Sequence, residues 1–265
     1  MLNASDQRQL DRALSHILQV LDTEVVGVYL FGSAVQGGLQ PESDLDIFIV
    51  SKRPTTLSEK ERLVHGFMIM SGKRTPEGTW RRVEVTNVVH SDVNPWRYPP
   101  VLDLQYGDWL RTEFEEGNFE PSPTPFRPDL ALLITMVVAA NTALIGTQPA
   151  LVFDVVPQDD VLRAMISDID RLRGDIHSDT RNMILTLARM WSTFSTGAIR
   201  SKDEAANWVL ERIPTAHHQV LVRARDAYLG SRAERWNDLS SALASCVEYM
   251  IAEIKRLAVA KSVPT

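Results

Sequence analysis

Three acidic residues in the first third of the chain have the types and the spacing of a site for divalent cations. Asp44 and Asp46 lie one residue apart in LFGSAVQGGLQPESDLDIF, at the entry of a run that reads as a buried strand. Because strand side chains alternate between faces, both carboxylates point to the same side. Glu84 lies within a second alternating run, RRVEVTNVV. Oxygen ligands of this kind suit Mg²⁺, and two such ions held by three acids favour phosphoryl or nucleotidyl transfer.

A glycine-serine turn precedes the two aspartates. Gly32 lets the backbone approach a ligand closely, and Ser33 offers a hydroxyl and a backbone N–H. A helix beginning at SAVQ would also present free N–H groups to a phosphate. Taken singly, these features have ordinary explanations: a turn at Gly32, a solvated loop or cap at Asp44 and Asp46, and a salt-bridged strand residue at Glu84. Their order along the chain favours a site for a nucleotide and its metal ion.

Hydrophobic periodicity predicts the elements that position these residues. In the first half it predicts helices over 5–22 and 58–72, strands over 25–31, 45–50 and 81–89, and a short helix around 105–116. From residue 129 the pattern is almost wholly helical, with helices over 129–146, 160–172, 180–196, 202–212, 215–229 and 233–260. The change of pattern predicts two domains, residues 1–155 and residues 156–265.

The composition narrows the class of protein. The chain has 265 residues, of which 44% are apolar and 23% charged, as in ordinary globular proteins. We expect no membrane association, because no apolar run of spanning length occurs. The single cysteine, Cys246, predicts a small buried hydrophobe in a cytoplasmic protein. The formal net charge of −6 argues against a stable nucleic acid complex and favours small or cationic partners. We also expect a monomer.

The order of strand, Gly-Ser turn, D-x-D strand and a further acidic strand resembles the nucleotidyltransferase superfamily that includes DNA polymerase beta. More specifically, the chain resembles the aminoglycoside O-adenylyltransferases that act on spectinomycin and streptomycin. The resemblance is carried by VYLFGSAVQGGLQPESDLDIFIV, RRVEVTNVV, NPWRYPP, QYGDWLR, ILTLARMWSTFSTG and SKDEAANWVLERIP. It implies an α+β protein, in which a DNA polymerase beta-like nucleotidyltransferase domain with a mixed sheet and flanking helices precedes an all-α helical bundle.

The resemblance also implies an activity: an antibiotic-resistance enzyme that transfers AMP from ATP to a drug hydroxyl and releases pyrophosphate. Asp44, Asp46 and Glu84 would hold two Mg²⁺ ions. Glu84 would also be the general base that takes the proton from the attacking hydroxyl. This role agrees with the chemistry of the residues, because a hydroxyl activated beside a metal ion is more acidic.

The resemblance implies further residues that bind ATP, the co-substrate. In the first domain these are Gly32, Ser33, Ser43 and Asp129, with the two serines on the phosphates. In the helical domain they are Arg189, Lys202 and Tyr228, with the two cations on the phosphates. Without the resemblance, Arg189 and Lys202 would be interpreted as surface charges and Asp129 as a helix N-cap.

Five residues would contact the drug by the same resemblance: Glu84, Trp109, Asp175, Asp179 and Asn182. Trp109 would form a wall of the pocket, although composition alone favours a core aromatic. Asp179 would pair with ammonium groups of the drug, although it is also a natural N-cap for the helix that follows.

Two alternatives for the drug remain open. Relatives that accept both streptomycin and spectinomycin carry a tryptophan nine residues before the position of Asp179 and an aspartate four before it. This chain has Asp170 at the first position and Asp175 at the second. The missing tryptophan favours a spectinomycin 9-adenylyltransferase. The alternative is a dual-specificity enzyme that also modifies the 3″-hydroxyl of streptomycin.

Two other classes of protein are less consistent with the sequence. A nucleotidyltransferase that modifies RNA or protein would need a basic groove, which the acidic net charge disfavours. A non-catalytic nucleotide or drug sensor would be expected to have lost an acid, whereas Asp44, Asp46 and Glu84 are all present.

Overall fold

The computed structural model of the protein describes residues 2–41, 43–76, 78–120, 124–261 and 263, apart from the side chain of Asp175. The chain divides into two compact units. The first unit contains residues 1–39 and 43–156, and the second contains residues 40–42 and 157–265. Among the residues that the structure describes, no helix combines the length and the apolar character that crossing a membrane requires.

The first unit contains a mixed sheet with helices on both faces. Its strands are β1 (Val25–Leu30), β2 (Leu45–Ser51), β3 (Arg74–Thr75), β4 (Gly78–Thr79), β5 (Val83–Val89), β6 (Leu104–Tyr106) and β7 (Ala143–Gly146). Its helices are α1 (Ala4–Leu21), α2 (Leu57–Met70), α3 (His90–Val93), α4 (Arg111–Glu115), α5 (Leu130–Ala140) and α6 (Pro149–Val152). Short 3₁₀ turns cover Asp22–Glu24, Gly32–Ala34 and Asp108–Leu110.

The five-stranded sheet has the order β6-β5-β2-β1-β7, and β3 and β4 form a separate small hairpin. The central strands β2 and β5 are parallel, whereas β1 is antiparallel to both β2 and β7, and β6 is antiparallel to β5. Strand alternation divides the apolar side chains between two cores. Ile47 and Val85 face α1 and α2, whereas Phe48 and Val88 face α5 and α6.

The second unit is helical. Its helices are α7 (Gln158–Ser167), α8 (Ile169–Gly174), α9 (Thr180–Thr196), α10 (Lys202–Leu210), α11 (His218–Tyr228) and α12 (Ser240–Ala260), with 3₁₀ turns over Asp175–His177, Thr215–His217 and Asn237–Leu239. Helix α9 lies at the centre and contacts α10, α11 and α12. Its central position explains why its buried residues are distributed around most of the helix. Cys246 on α12 is completely buried, as its hydrophobic interpretation predicts.

Five predicted elements are wrong in detail, of which the helix over 160–172 is divided at Asp168 into α7 and α8. The predicted helix over 129–146 ends at Ala140, because Asn141 takes a left-handed conformation, and the chain then returns as strand β7. No helix begins at Ser33, since only the 3₁₀ turn Gly32–Ala34 follows β1. The predicted helix around 105–116 is divided into β6, a 3₁₀ turn and α4, and the predicted helix over 233–260 begins at Ser240.

Candidate active site

The three predicted metal-binding acids lie on the two central parallel strands. Asp44 directly precedes β2, Asp46 is its second residue, and Glu84 is the second residue of β5. Asp46 and Glu84 are register partners across the two strands. All three carboxylates are half-buried, and alternation directs them to the α5 face of the sheet. The pairing brings together two acids that are 38 positions apart in the sequence.

Gly32 forms a close contact with one of these acids. Its φ of +65° lies in the left-handed region, and a Cβ added there would lie 2.0 Å from Oδ2 of Asp46. The Gly32 carbonyl accepts hydrogen bonds from the backbone N–H groups of Val35 and Gln36, at 3.3 and 3.0 Å. Glycine therefore meets two requirements here, the backbone conformation and the space that the Asp46 carboxylate occupies.

The segment that carries Ser43 and Asp44 is held in place by an arginine. Ser43 is buried, and its carbonyl accepts a hydrogen bond of 2.8 Å from Nη1 of Arg81. The Nε of the same arginine forms an ion pair of 2.9 Å with Asp6 on α1, and both of these side chains are largely buried. Arg81 thus joins α1 to the backbone just before Asp44. Ser33, in the turn after β1, is half-buried.

Asp129 pairs with a neighbouring arginine and does not cap a helix. Its carboxylate accepts two hydrogen bonds from Arg127, of 3.0 Å from Nε and 2.7 Å from Nη2. Although it lies at the N-cap position of α5, its side chain makes no capping bond. The N-cap interpretation is therefore wrong, because the bidentate arginine occupies the carboxylate.

Trp109 lies in the 3₁₀ turn before α4 and is 55% exposed. Its ring lies against the backbone of Gly107, where an added Cβ would come within 2.3 Å of the ring. The interpretation of Trp109 as a core aromatic is therefore wrong. An exposed aromatic face remains available for a ligand.

Four predicted site residues of the second unit form one connected cluster. The Nζ of Lys202 donates a hydrogen bond of 3.0 Å to Oδ1 of Asn182. The Nδ2 of Asn182 in turn lies 3.0 and 3.1 Å from the two carboxylate oxygens of Asp179. The Lys202 ammonium also lies over the ring of Tyr228, 5.8 Å from its centroid. Asp179 precedes α9 but makes no side-chain capping bond, because its carboxylate accepts from Asn182 instead.

Comparisons with known proteins identify the family to which the chain belongs. A family model for the aminoglycoside adenylyltransferase C-terminal domain matches residues 151–253, and one for the nucleotidyltransferase domain matches residues 10–77. A spectinomycin 9-adenylyltransferase from Staphylococcus aureus (strain Mu50 / ATCC 700699) is 38% identical over 251 residues, which cover 94% of this chain and 95% of that protein. The chain belongs to the aminoglycoside adenylyltransferase family.

Two further relatives in the adenylyltransferase family show the range of similarity. An aminoglycoside (3″)(9) adenylyltransferase from Escherichia coli is 36% identical, with 94% of this chain and 95% of that protein covered. The crystal structure of spectinomycin adenyltransferase AAD(9) from Enterococcus faecialis with ATP and spectinomycin superimposes with a TM-score of 0.87 at 29% identity, covering 94% of this chain and 99% of that chain. The predicted fold class, a nucleotidyltransferase domain with a mixed sheet followed by a helical part, is confirmed.

The remaining predicted residues of this adenylyltransferase lie in the second unit. Arg189 lies on α9 and is half-buried. It follows Asn182 by seven residues and therefore lies on the same side of the helix. Asp175 opens the 3₁₀ turn before α9, and its side chain lies outside the part of the chain that the structure describes.

The residues that sequence reasoning missed are the ones that hold the predicted site residues in place. Arg81 and Arg127 fall into this group, since one anchors the Ser43 carbonyl and the other engages Asp129. A signal was present for Arg127, which lies two residues before an aspartate. None identified Arg81, because its partners Asp6 and Ser43 are distant in the sequence.

A cavity of about 800 Å³ also lies in the second unit, and none of the predicted site residues whose side chains the structure describes is among those that line it. It is lined by His177, Thr180, Arg223, Leu243, Ser240 and residues 232–238. Arg223 is mostly buried there and donates to the carboxylate of Asp238, which lowers the pKa of that carboxyl. This ion pair serves to hold the 232–238 segment against α11.

Proposed function

We propose that this enzyme transfers AMP from ATP to the 9-hydroxyl of spectinomycin and releases pyrophosphate. The observation that carries the proposal is the register pairing of Asp46 with Glu84 beside the Gly32 turn. Membership of the aminoglycoside adenylyltransferase family supports the reaction type. The relatives named for spectinomycin, and the related structure with ATP and spectinomycin, support the substrates.

We propose that Asp44, Asp46 and Glu84 hold two Mg²⁺ ions. Among the residues that the structure describes, no three His, Cys, Asp or Glu side chains form a ready-made metal site. The donor set fits the ion, because all three groups are hard oxygen ligands and two of them are strand neighbours, about 5 Å apart at the backbone. Bound Mg²⁺ would supply charge neutralisation on the phosphates.

Glu84 is the proposed general base. Its half-buried carboxylate would accept the proton of the drug hydroxyl as that oxygen forms a bond to the α-phosphorus of ATP. The bond that breaks joins the α-phosphorus to the bridging oxygen, and the electron pair leaves with pyrophosphate. Asp46, the register partner of Glu84, would keep its orientation through its contact with Gly32.

Binding roles can be proposed separately for the two units. In the first unit, Gly32, Ser33 and Ser43 would contact ATP phosphates, and Trp109 would offer its exposed face to the drug. Asp129 would contribute to the ATP site as an ion pair with Arg127, which leaves it with little net charge.

In the second unit, the cationic side chains would bind ATP and the acidic side chains would bind the drug. Lys202, Arg189 and Tyr228 would bind ATP, with the two cations on its phosphates. Asp179, Asn182 and Asp175 would bind the drug, whose ammonium groups carry the complementary charge. The contacts of the Lys202 ammonium with Tyr228 and Asn182 support its assignment to a preorganised anion site.

A dual-specificity enzyme that also adenylylates the 3″-hydroxyl of streptomycin is the second candidate. This candidate is supported by the relative named aminoglycoside (3″)(9) adenylyltransferase. That relative is 36% identical to this chain, close to the 38% of the spectinomycin 9-adenylyltransferase. Asp170 is exposed where the streptomycin-accepting relatives would carry a tryptophan. The absence of that aromatic surface favours the narrower enzyme.

The proposal includes a monomeric enzyme of the cytoplasm that forms no stable nucleic acid complex. The net charge of −6 supports the absence of a nucleic acid complex, and the single buried cysteine supports the cytoplasmic location. Sedimentation of the protein with and without RNA tests the monomeric state and the absence of a nucleic acid complex.

The decisive experiment measures pyrophosphate release by purified protein with MgATP and spectinomycin, streptomycin or no drug. We expect release with spectinomycin alone. The Asp46→Asn variant should lose this activity, whereas Asp11→Asn, a change at an exposed position on α1, should keep it. Release with both drugs would establish the dual enzyme, and folded protein that binds ATP but is silent with both would contradict the proposal.

A further inference from the structure

The hydrogen-bonded chain Lys202–Asn182–Asp179 has a definite direction. Lysine has only donors, so the atom of Asn182 that faces it at 3.0 Å must be the carbonyl oxygen. A carboxylate has only acceptors, so the atom that faces Asp179 at 3.0 and 3.1 Å must be the amide nitrogen. The amide dipole therefore points its negative end at the cation and its positive end at the anion. Each contact independently requires the same orientation of the side chain.

The hydrogen-bonded chain Lys202–Asn182–Asp179 extends from a confined ammonium group to an exposed carboxylate. Lys202 is half-buried and lies over the ring of Tyr228, which is itself buried. Asn182 is half-buried on α9, and Asp179 is exposed before the first turn of that helix. The surrounding side chains thus define the position of the Lys202 ammonium, whereas the Asp179 carboxylate faces solvent and can receive a ligand cation.

We propose that Asn182 is a positioning residue that couples the binding of ATP to the binding of the drug. This inference rests on the proposed function, in which Lys202 takes phosphate and Asp179 takes a drug ammonium. A phosphate on Lys202 restrains the ammonium, one of whose donors stays on the Asn182 carbonyl. The restrained amide then holds the Asp179 carboxylate in the orientation that receives the drug. Each ligand should raise the affinity for the other by the same factor.

The chemistry limits which side chains can replace Asn182. Leucine has a similar size but neither accepts nor donates, so Asn182→Leu should break both contacts. A neutral histidine has one acceptor and one donor, so Asn182→His can restore the bridge. Asn207 on α10 provides a matched control, because it is exposed and its Oδ1 accepts a hydrogen bond of 2.9 Å from Arg225 in the same unit. Asn207→Leu removes a comparable contact outside the proposed site.

The first test is calorimetry of spectinomycin binding with and without a non-hydrolysable ATP analogue. In the wild-type enzyme and in Asn207→Leu we expect the analogue to raise drug affinity about tenfold or more, which is the scale of a hydrogen bond to a charged group. In Asn182→Leu this enhancement should fall to less than about threefold, and Asn182→His should recover it. Affinity for the analogue alone should stay within about threefold of wild type in every variant, because Lys202 is retained. Should Asn182→Leu fail to fold, Asn182→Ala removes the same two contacts.

Steady-state kinetics separates positioning from general damage. Asn182→Leu should raise KM for the drug while kcat stays nearly unchanged, whereas a fold defect would lower kcat through loss of active enzyme.

A double-mutant cycle between Lys202→Met and Asp179→Asn gives the strictest test. The two changes should be non-additive for drug binding in the wild-type background and additive in the Asn182→Leu background. An equal coupling in both backgrounds, or none in the wild type, would overturn the role of Asn182 while leaving the proposed function intact. Absence of both ATP and drug binding by the wild-type protein would overturn the two proposals together.

Discussion

Replacing Gly32 by alanine tests how the turn after β1 positions the Asp46 carboxylate. The added Cβ would lie 2.0 Å from Oδ2 of Asp46, whereas Cβ atoms essentially never come closer than 3.0 Å to another heavy atom. The carboxylate oxygen must therefore move by at least about 1 Å. A displacement of that size in a reacting constellation reduces rate by about 100-fold, equivalent to about 2.7 kcal/mol of transition-state stabilisation.

Gly38 offers a matched control for the effect of the substitution on the backbone. Its φ of +87° also lies in the left-handed region, but an added Cβ there meets nothing within 4 Å. Both alanine variants should lose about 1–2 kcal/mol of stability through the unfavourable φ, and their melting temperatures should fall together. Only Gly32→Ala carries the additional displacement of a carboxylate.

The assay is pyrophosphate release at saturating MgATP and spectinomycin, beside thermal unfolding of both variants. We expect Gly38→Ala to keep near-wild-type kcat, and Gly32→Ala to lose about 100-fold. Equal activities in the two variants would refute the reasoning that this contact sets the position of Asp46. A much larger loss of stability in Gly32→Ala would instead assign the effect to folding.

Three further predictions concern single side chains. Glu84→Gln should lower kcat by about 100-fold or more while calorimetry still detects MgATP binding, and unchanged turnover would remove Glu84 as the base. Trp109→Ala should raise KM for the drug about tenfold with little change in melting temperature, since the ring is 55% exposed; a large fall in melting temperature with unchanged KM would contradict the pocket assignment. Hydrogen bonds, chiefly from Arg53, lower the pKa of Glu59 to about 2, so its contribution to stability is present above its ordinary pKa of 4.5 and is lost as pH falls towards 2. Glu59→Gln should therefore lower the melting temperature at pH 7, the difference should shrink as pH falls towards 2, and a difference that does not vary with pH would contradict the ion-pair explanation.

The elements around the three proposed metal-binding acids were predictable because their signals are local. Strands β1, β2 and β5 are short runs of β-branched and aromatic residues, and α1, α2 and α9 have clear helical periodicity. The helix predicted over 129–146 was wrong where a local signal is weak. Leu144 and Ile145 suit either structure, and the decision lies in the left-handed Asn141 and in pairing with β1.

Other errors arose where a distant or neighbouring partner decides the role of a polar residue. Asp129 and Asp179 have the sequence positions of N-caps, yet their carboxylates bond to Arg127 and Asn182. An N-cap preference is worth about 1 kcal/mol, so a well-placed arginine or amide can replace it. Trp109 was uncertain for a related reason, since composition alone does not indicate which aromatics remain exposed.

The sequence by itself determined the inventory of the site: the D-x-D pair, the acid of the second strand, the Gly-Ser turn and the resemblance to adenylyltransferases. The D-x-D pair follows from residue types at short spacing, which strand alternation converts directly into a shared face. Tertiary structure alone decided which of these residues meet. Parallel pairing of β2 and β5 makes Asp46 the partner of Glu84, and packing of α10 against α9 brings Lys202 to Asn182. Register and packing depend on burial summed over the whole unit, which is why short-range patterns do not contain them.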